Sequence, residues 1–300
     1  MKANKVKMSG ADKATLAFAY FFIGFIAIAC IYPLMMCVSA SLSNEAVIIK
    51  TGYSALPQEF TLDTYRYIFG NSGKEIARGY LVTTGVTVIG TLGSILITSM
   101  MSFALCINDM KYRNFIAFIC DFTIIFSAGL IPWYMCCVNY YHLDDNIMAL
   151  VIPSIFSVWN MFLLRTYFKS ISQSLFEAAR IDGASYFRVY WEIAMPLNKT
   201  GLLTVGLMVC LQYWNDWWNA LMFIREKALW PLQYFLYNIM SNVNAIKSGR
   251  VPPSAIAHIK LPAETVKMAV TIITIGPILF LYPFVQRYFV QGIMTGAVKE

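Results

Sequence analysis

Long apolar stretches alternate with short polar connections along most of the chain. Six runs, at roughly 14–40, 80–107, 115–138, 146–168, 199–224 and 268–290, are long enough to cross a hydrocarbon core, which takes about 20 helical residues. The pattern predicts an all-α integral membrane protein with about six transmembrane helices. Val38-Ser39-Ala40 resembles a leader cleavage site. The apolar run before it exceeds the ~7–15 residues of a leader's core, so it is read as a retained first helix. Three regions follow: 1–79 (tail, first helix and a loop), 80–290 (the main transmembrane domain) and a tail at 291–300.

Composition strengthens this reading. Only 13% of residues are charged and 58% are hydrophobic, whereas a soluble domain carries roughly 25% charged residues. The formal net charge of +7 comes from basic residues flanking apolar runs, as topology requires. No basic patch interleaved with aromatics suggests a nucleic-acid partner. The seven cysteines sit in or beside apolar runs, with neither metal-ligand spacing nor a disulfide framework. His142 and His258 are far apart, so no metal site is expected.

Short connections set the orientation. Lys2, Lys5, Lys7 and Lys13 precede the first helix, Lys111 and Arg113 join the second and third, and Lys169, Arg180, Arg188 and Lys199 join the fourth and fifth. Asn139 to Asp145 has two aspartates and no lysine or arginine. The positive-inside rule therefore places both termini and the 169–198 loop in the cytoplasm. Loops 41–79 and 225–265 fall outside.

The chain has no nucleotide-binding P-loop; Gly70 to Glu75 lacks both the spacing and the Ser/Thr after the lysine. No nucleophile elbow, zinc motif or dinucleotide fingerprint occurs either. If the chain moves something uphill, the energy must come from a partner or an ion gradient.

The most informative polar stretch runs from Ser174 to Pro196. Ser174 and Glu177 have capping-box spacing, so a helix is expected to start there. Gly183 suits the left-handed residue that ends it. Asp182 or Ser185 can cap a second short helix through Phe187, Tyr190 and Ile193, and Pro196 is expected to open the fifth span.

Glu177-Ala178-Ala179-Arg180-Ile181-Asp182-Gly183-Ala184, followed by Ile193 and Pro196, resembles the EAA loop of ABC-importer permeases. Met195 stands where the usual pattern has leucine. Ser127 to Tyr134 is similar to a Gly-Leu-Ile-Pro-x-Tyr stretch of the maltose-type, carbohydrate-uptake branch, and Trp214-Asn215-Asp216-Trp217 to its Trp-Asn segment. Tyr282-Pro283-Phe284 through Gly292, with Gly296 to Lys299, resembles the subgroup for complex oligosaccharides.

The resemblance implies the type I importer permease fold, in a bacterial cytoplasmic membrane. It implies a transport subunit and not an enzyme. Two cytoplasmic ATPase subunits would bind ATP and Mg, so this chain carries no cofactor. The other implied partners are a second permease subunit, expected to be a different chain, and an extracellular solute-binding protein. Glu177, Ala178, Ala179, Asp182, Gly183 and Ala184 would form the coupling contact with the ATPase, and the tail would reach between the ATPase subunits.

Candidate pathway residues are Tyr213, Trp214, Asn215, Trp217, Trp218 and Asn219, because sugars stack C–H faces on aromatic rings and offer hydroxyls to amides. An interfacial aromatic belt would place tryptophans similarly, but amides are costly against lipid. Adjacent Trp217 and Trp218 are not expected to share one helical face. Gly129 and Pro132 either break the third helix at a cavity or kink it near its end. Asp121, an acid within an apolar run, serves the pathway or pairs with an assembly partner. Outside, Pro231 can start a helix whose Leu232, Phe235, Leu236, Ile239 and Met240 share a face, to meet the solute-binding protein or lie on the membrane. The 53–69 stretch is expected to be an outer cover.

Two rivals remain at this level. An ion-coupled secondary transporter would use Asp121 and Asp216 and would not need the cytoplasmic helix–turn–helix. An ABC permease for a non-sugar ligand, such as a peptide, would keep the loop and change the cavity.

Overall fold

The computed structural model describes residues 9–248 and 264–279. Expectations for Lys2, Lys5 and Lys7, for His258, for the end of the sixth run and its Tyr282 motif, and for the 291–300 tail lie outside the described residues. All named elements are helical, apart from one isolated bridge between Ser43 and Phe60. Two compact units emerge, Met1–Ser72 with Met240–Ile275, and Gly73–Ile239 with Gly276–Glu300.

In the first unit, α1 (Gly10–Ser41) is a 32-residue helix. Phe18, Tyr20, Phe21, Ile23 and Phe25 along it are exposed, as befits a helix whose solvent is lipid. Helix α2 (Glu45–Thr51) is capped by Asn44, whose Oδ1 accepts from the Ala46 amide at 3.0 Å. Glu45 takes on a second task. Its carboxylate accepts from the backbone N–H groups of Glu264 (3.0 Å) and Thr265 (2.8 Å), at the start of the helical segment 264–279. The anion thus sits where a helix N-terminus offers unpaired donors and positive potential. Tyr53 also bonds the Glu264 carboxylate, and Thr64 bonds Thr265 at 2.9 Å. Helix α3 (Asp63–Ala104) begins in this unit and is interrupted at Ser72, with φ −127°. Of the expected cover, Ile68 is buried and Phe69 exposed.

The second unit is organised on α3 from Ser72 to Ala104, an unbroken span. Thr83, Thr87, Ser94, Thr98 and Ser102, four or seven residues apart, form a buried stripe of small hydroxyl side chains. Small residues let helices approach closely within a membrane. A Cβ added at Gly90 on this stretch would lie 2.5 Å from Tyr213 Cζ, and one at Gly206 would lie 2.8 Å from Ile95 Cδ1. The hydroxyls fasten different neighbours. Thr83 accepts from the Leu232 amide (2.8 Å), Ser99 bonds the Tyr190 hydroxyl (2.7 Å), and Ser102 donates to the Met161 carbonyl (2.8 Å).

Around α3, three expected spans are broken rods. Helix α4 (Arg113–Ile125) bends by 120° into α5 (Leu130–Met135) and the π-helical turn Cys136–Tyr140. The 3₁₀ turns of 147–154 bend by 52° into α6 (Val158–Lys169). After α7 (Gln173–Ile181), the stretch of α8 (Tyr186–Val189), the π-helical turn Tyr190–Ala194 and α9 (Met195–Leu197) bends by 82° into α10 (Lys199–Trp214). Pro196 therefore lies before the fifth span, not at its opening. That span ends at Trp214, and α11 (Trp218–Phe223) follows a further break. Helix α12 (Leu232–Lys247) completes the order.

Asp145 accepts from the amides of Arg225 and Glu226 (2.9 Å each), and Asp144 pairs with Arg225 at 3.0 Å. The 139–145 and 225–226 connections therefore lie at one end of this unit.

Gly90→Ala is expected to destabilise the permease by about 1–3 kcal/mol, the usual cost of overpacking. Tyr213 cannot easily retreat, since its hydroxyl holds the Val151 carbonyl at 2.8 Å. The unfolding midpoint in detergent checks this, with Gly85→Ala, which meets no neighbour within 4 Å, as the control.

Candidate functional site

Two of the breaks face a common cavity of about 1010 Å³. At the first, Phe126 leaves α4 in extended backbone, and Gly129 (φ +89°) precedes α5. Only glycine takes that backbone without strain, so Gly129 and Pro132 mark a true break rather than a terminal kink. At the second, α10 stops at Trp214 and α11 restarts after Trp217. Irregular backbone at membrane depth is tolerated where it lines a cavity, and both segments do so.

Aromatic packing holds the two breaks together. Phe223 of α11, 1% exposed, lies 5.6 Å from Tyr134, ring parallel to ring, and 5.2 Å from Trp133 of α5. Each short helix following a break is thereby packed on the other.

Gln212, Asn215, Asp216, Trp217, Trp218 and Asn219 line one wall, and Gly129, Pro132 and Trp133 the other, with Ser154 between. The break places Trp217 outside α11, so both tryptophans reach the cavity, contrary to the expectation for neighbours on one helix. Their rings meet edge to face at 5.7 Å, and Trp217 stacks on Tyr237 at 4.6 Å. The amides are held in place. Asn219 donates to Asp216 (2.6 Å) and Ser154 (3.1 Å), while Asn215 donates to the Leu211 carbonyl (2.8 Å) and accepts from Gln233 (3.0 Å). Asp216 also accepts from the Asn219 backbone amide at 3.0 Å, which caps α11. No lysine or arginine is among the described lining residues.

Other expected pathway residues lie elsewhere. Tyr213 and Trp214 are buried, turned by about 100° and 200° from Gln212 along α10. Tyr213 packs on α3 at Gly90, and Trp214 meets Tyr80 at 6.5 Å. Asp121 is exposed on α4 and outside the cavity lining. Sequence reasoning missed Gln212, Ser154 and Trp133. Gln212 carried a readable signal, since it lies three residues before Asn215, a spacing that puts both on one side of a helix.

The 174–196 element lies at the opposite end of α6. Helix α7 starts at Gln173, not Ser174, and the capping box is not formed; the Ser172 and Ser174 hydroxyls bond each other at 2.7 Å instead. Its other end matches expectation. Gly183 has φ +86°, its amide donates to the Arg180 carbonyl (3.1 Å), and the Ala184 amide donates to the Ala179 carbonyl (2.9 Å). This pair of bonds is the Schellman motif. Arg180 donates to the Ala184 carbonyl at 2.8 Å and lies over the Tyr186 ring at 4.1 Å. Ser185, rather than Asp182, caps the next helix by accepting from Arg188 at 3.2 Å.

One ring fixes this element to the core. Phe176, 5% exposed, meets Phe103 of α3 edge-on at 5.6 Å, and Phe103 also meets Phe168 of α6 and Tyr190. Ala179 and Ala184 face the core, while Glu177, Ala178, Asp182 and Gly183 face out. Ile181, 86% exposed, is an outward apolar residue that sequence reasoning did not single out.

In α12, Leu232 is fully buried. Its amide bonds Thr83, and its backbone lies against Gly79. It anchors the helix and offers no docking surface. Phe235, Leu236 and Ile239 are half-buried.

A family model described as binding-protein-dependent transport system inner membrane component matches residues 80–295. The chain is 32% identical over 287 residues to the polygalacturonan/rhamnogalacturonan transport system permease protein YtcP of Bacillus subtilis, covering 93% of this chain and 96% of that protein. It is 33% identical over 280 residues to protein LplC of Bacillus subtilis, covering 93% and 92%. A crystal structure of a bacterial ABC transporter involved in the import of the acidic polysaccharide alginate contains a chain that superposes with a TM-score of 0.81. The two are 29% identical, and the match covers 95% of this chain and 100% of that one.

Asp216→Ala removes the acceptor of two Asn219 donors and is expected to cost about 1–2 kcal/mol, while Asp216→Asn keeps one acceptor oxygen and costs less. Thermal unfolding of the two variants checks the order. Equal stability of both with the wild type would show that the cap carries no weight.

Proposed function

The chain belongs to the binding-protein-dependent transport system inner membrane component family, and we propose that its cargo is an oligosaccharide. As a member of that family it is a membrane-spanning permease subunit of an ABC importer and acts in transport, not in covalent chemistry. The cargo reading is carried by the cavity between the two helix breaks, where a rigid tryptophan wall stands beside three side-chain amides. Aromatic faces take up sugar C–H surfaces, and amides take up hydroxyls. The volume lies at the upper end of the ~300–1,000 Å³ typical of small-molecule sites. The names of YtcP, of AraQ from Halalkalibacterium halodurans, an arabinooligosaccharide permease 28% identical over 296 residues, and of the alginate importer support the same cargo class.

Work enters at α7 and α8. One of two ATPase subunits, which bind ATP and Mg, docks on Glu177, Ala178, Ile181 and Asp182 at the Gly183 turn, on the cytoplasmic face. Both termini lie on that face of the bacterial cytoplasmic membrane. Ring contacts from Phe176 to Phe103 pass the movement to α3 and α6. A second permease subunit, a different chain, completes the pathway. The extracellular solute-binding protein delivers cargo at the opposite face, where Phe235, Leu236 and Ile239 of α12 are its contacts.

Trp217→Ala and Asn219→Ala are each expected to lower uptake of a labelled oligosaccharide into proteoliposomes about tenfold, the equivalent of roughly 1.4 kcal/mol, with the complex still assembled. Unchanged uptake in both assigns the pathway to other residues.

Gly183→Val strains a left-handed backbone by about 1–2 kcal/mol. It is expected to abolish stimulation of ATP hydrolysis by the solute-binding protein, while Gly183→Asn retains most of it, because asparagine tolerates this backbone. Equal stimulation in both variants and the wild type would sink the docking assignment.

A further inference from the structure

A second cavity, of about 430 Å³, opens beside the N-terminus of α7. Its wall carries Arg113 from the start of α4 and Arg165 and Lys169 from the last turns of α6. None of these cations is ion-paired among the described residues, where the pairs join Arg66 to Asp63, Arg188 to Glu192, Arg225 to Asp144 and Lys267 to Glu264. Arg113 donates only to neutral groups, Asn108 at 2.7 Å and Asn114 at 3.5 Å. Arg165 Nε is covered by protein and has no acceptor. Arg165 and Lys169 are four residues apart on one helical face, where like charges repel.

Neutral donors complete the wall. Asn108, Ser172 and Gln173 line it, and Ser172 does not cap the nine-residue α7 with its side chain. The start of that helix, at Ser172 and Gln173, therefore lies in the same concavity as the cations, and a helix start favours an anion. Asp109, the nearby acid on the 105–112 connection, is outside the lining and engages the Tyr186 hydroxyl at 3.4 Å.

We propose that this cavity is a binding site for a phosphate group, which bridges α4, α6 and the start of α7. Guanidinium forks match the geometry of phosphate oxygens, and the volume exceeds what a single carboxylate fills. On the orientation proposed above, on which this inference rests, the cavity lies at the inner membrane boundary. There the phosphate comes either from an anionic lipid headgroup or from a free phosphate in the cytoplasm. An occupant would brace the short 170–172 link between α6 and the coupling element, so occupancy would tune the coupling of ATP hydrolysis to transport.

The test uses the purified complex in nanodiscs, without cargo, so that a wrong cargo assignment leaves the readout untouched. In discs of phosphatidylcholine with phosphatidylglycerol, native mass spectrometry reads lipid retained on this chain. In discs of phosphatidylcholine alone, titration with inorganic phosphate reads the free anion. Retention of phosphatidylglycerol alone identifies a headgroup site, and saturable phosphate binding identifies a free-phosphate site. In either case Arg165→Gln with Lys169→Gln is expected to weaken the successful probe at least about tenfold, and Arg165→Lys to weaken it less. Arg113→Gln, at the half-exposed start of α4, serves if the double variant fails to assemble. Binding of neither probe to the wild type, or equal binding to the glutamine variants, overturns the proposal.

Discussion

The close approach of other helices to the small-residue face of α3 is the constraint on which the second unit depends. Lipid provides no hydrophobic force between helices, so packing and buried hydrogen bonds must hold them. Glycine at 90 admits the Tyr213 ring from α10, glycine at 206 admits Ile95, and the hydroxyls at 83, 99 and 102 each take a different partner. Larger residues along this face would push α10 outward and release the Tyr213–Val151 bond with it. That displacement would reach the second helix break, which begins one residue after Trp214.

Two aromatic nodes divide the labour at opposite ends of this frame. Phe223 sits between Tyr134 and Trp133 and sets the distance between the two breaks. Phe103 gathers Phe168, Phe176 and Tyr190 and holds the proposed coupling element to α3 and α6. Rings suit both places because they bury much area with few rotatable bonds. A load applied at α7 therefore meets a packed joint and not a hinge.

Much of this was legible in the sequence, and the failures have physical causes. Run lengths located the apolar segments but not their continuity, because Ser127-Ala128-Gly129 and Asn215-Asp216-Trp217 are too short to interrupt an apolar window. Gly183 was readable because a left-handed terminus strongly selects glycine. The Ser174–Glu177 box was a false lead, since Ser172 competes for the same hydroxyl. The amides at 215 and 219 were readable as costly in lipid. Tyr213 and Trp214 were misplaced because composition alone does not give the helical phase that turns them toward α3. Ile181 escaped notice because an apolar residue in a polar loop reads as ordinary until its exposure is known.

Asn219 is shared between Asp216 and Ser154, and Asn215 between Leu211 and Gln233. A side-chain amide has two N–H donors and two acceptor lone pairs, so both keep capacity for a sugar hydroxyl while the internal bonds hold their orientation. Cargo meeting this wall would require little further ordering of side chains, because the wall is set before it arrives.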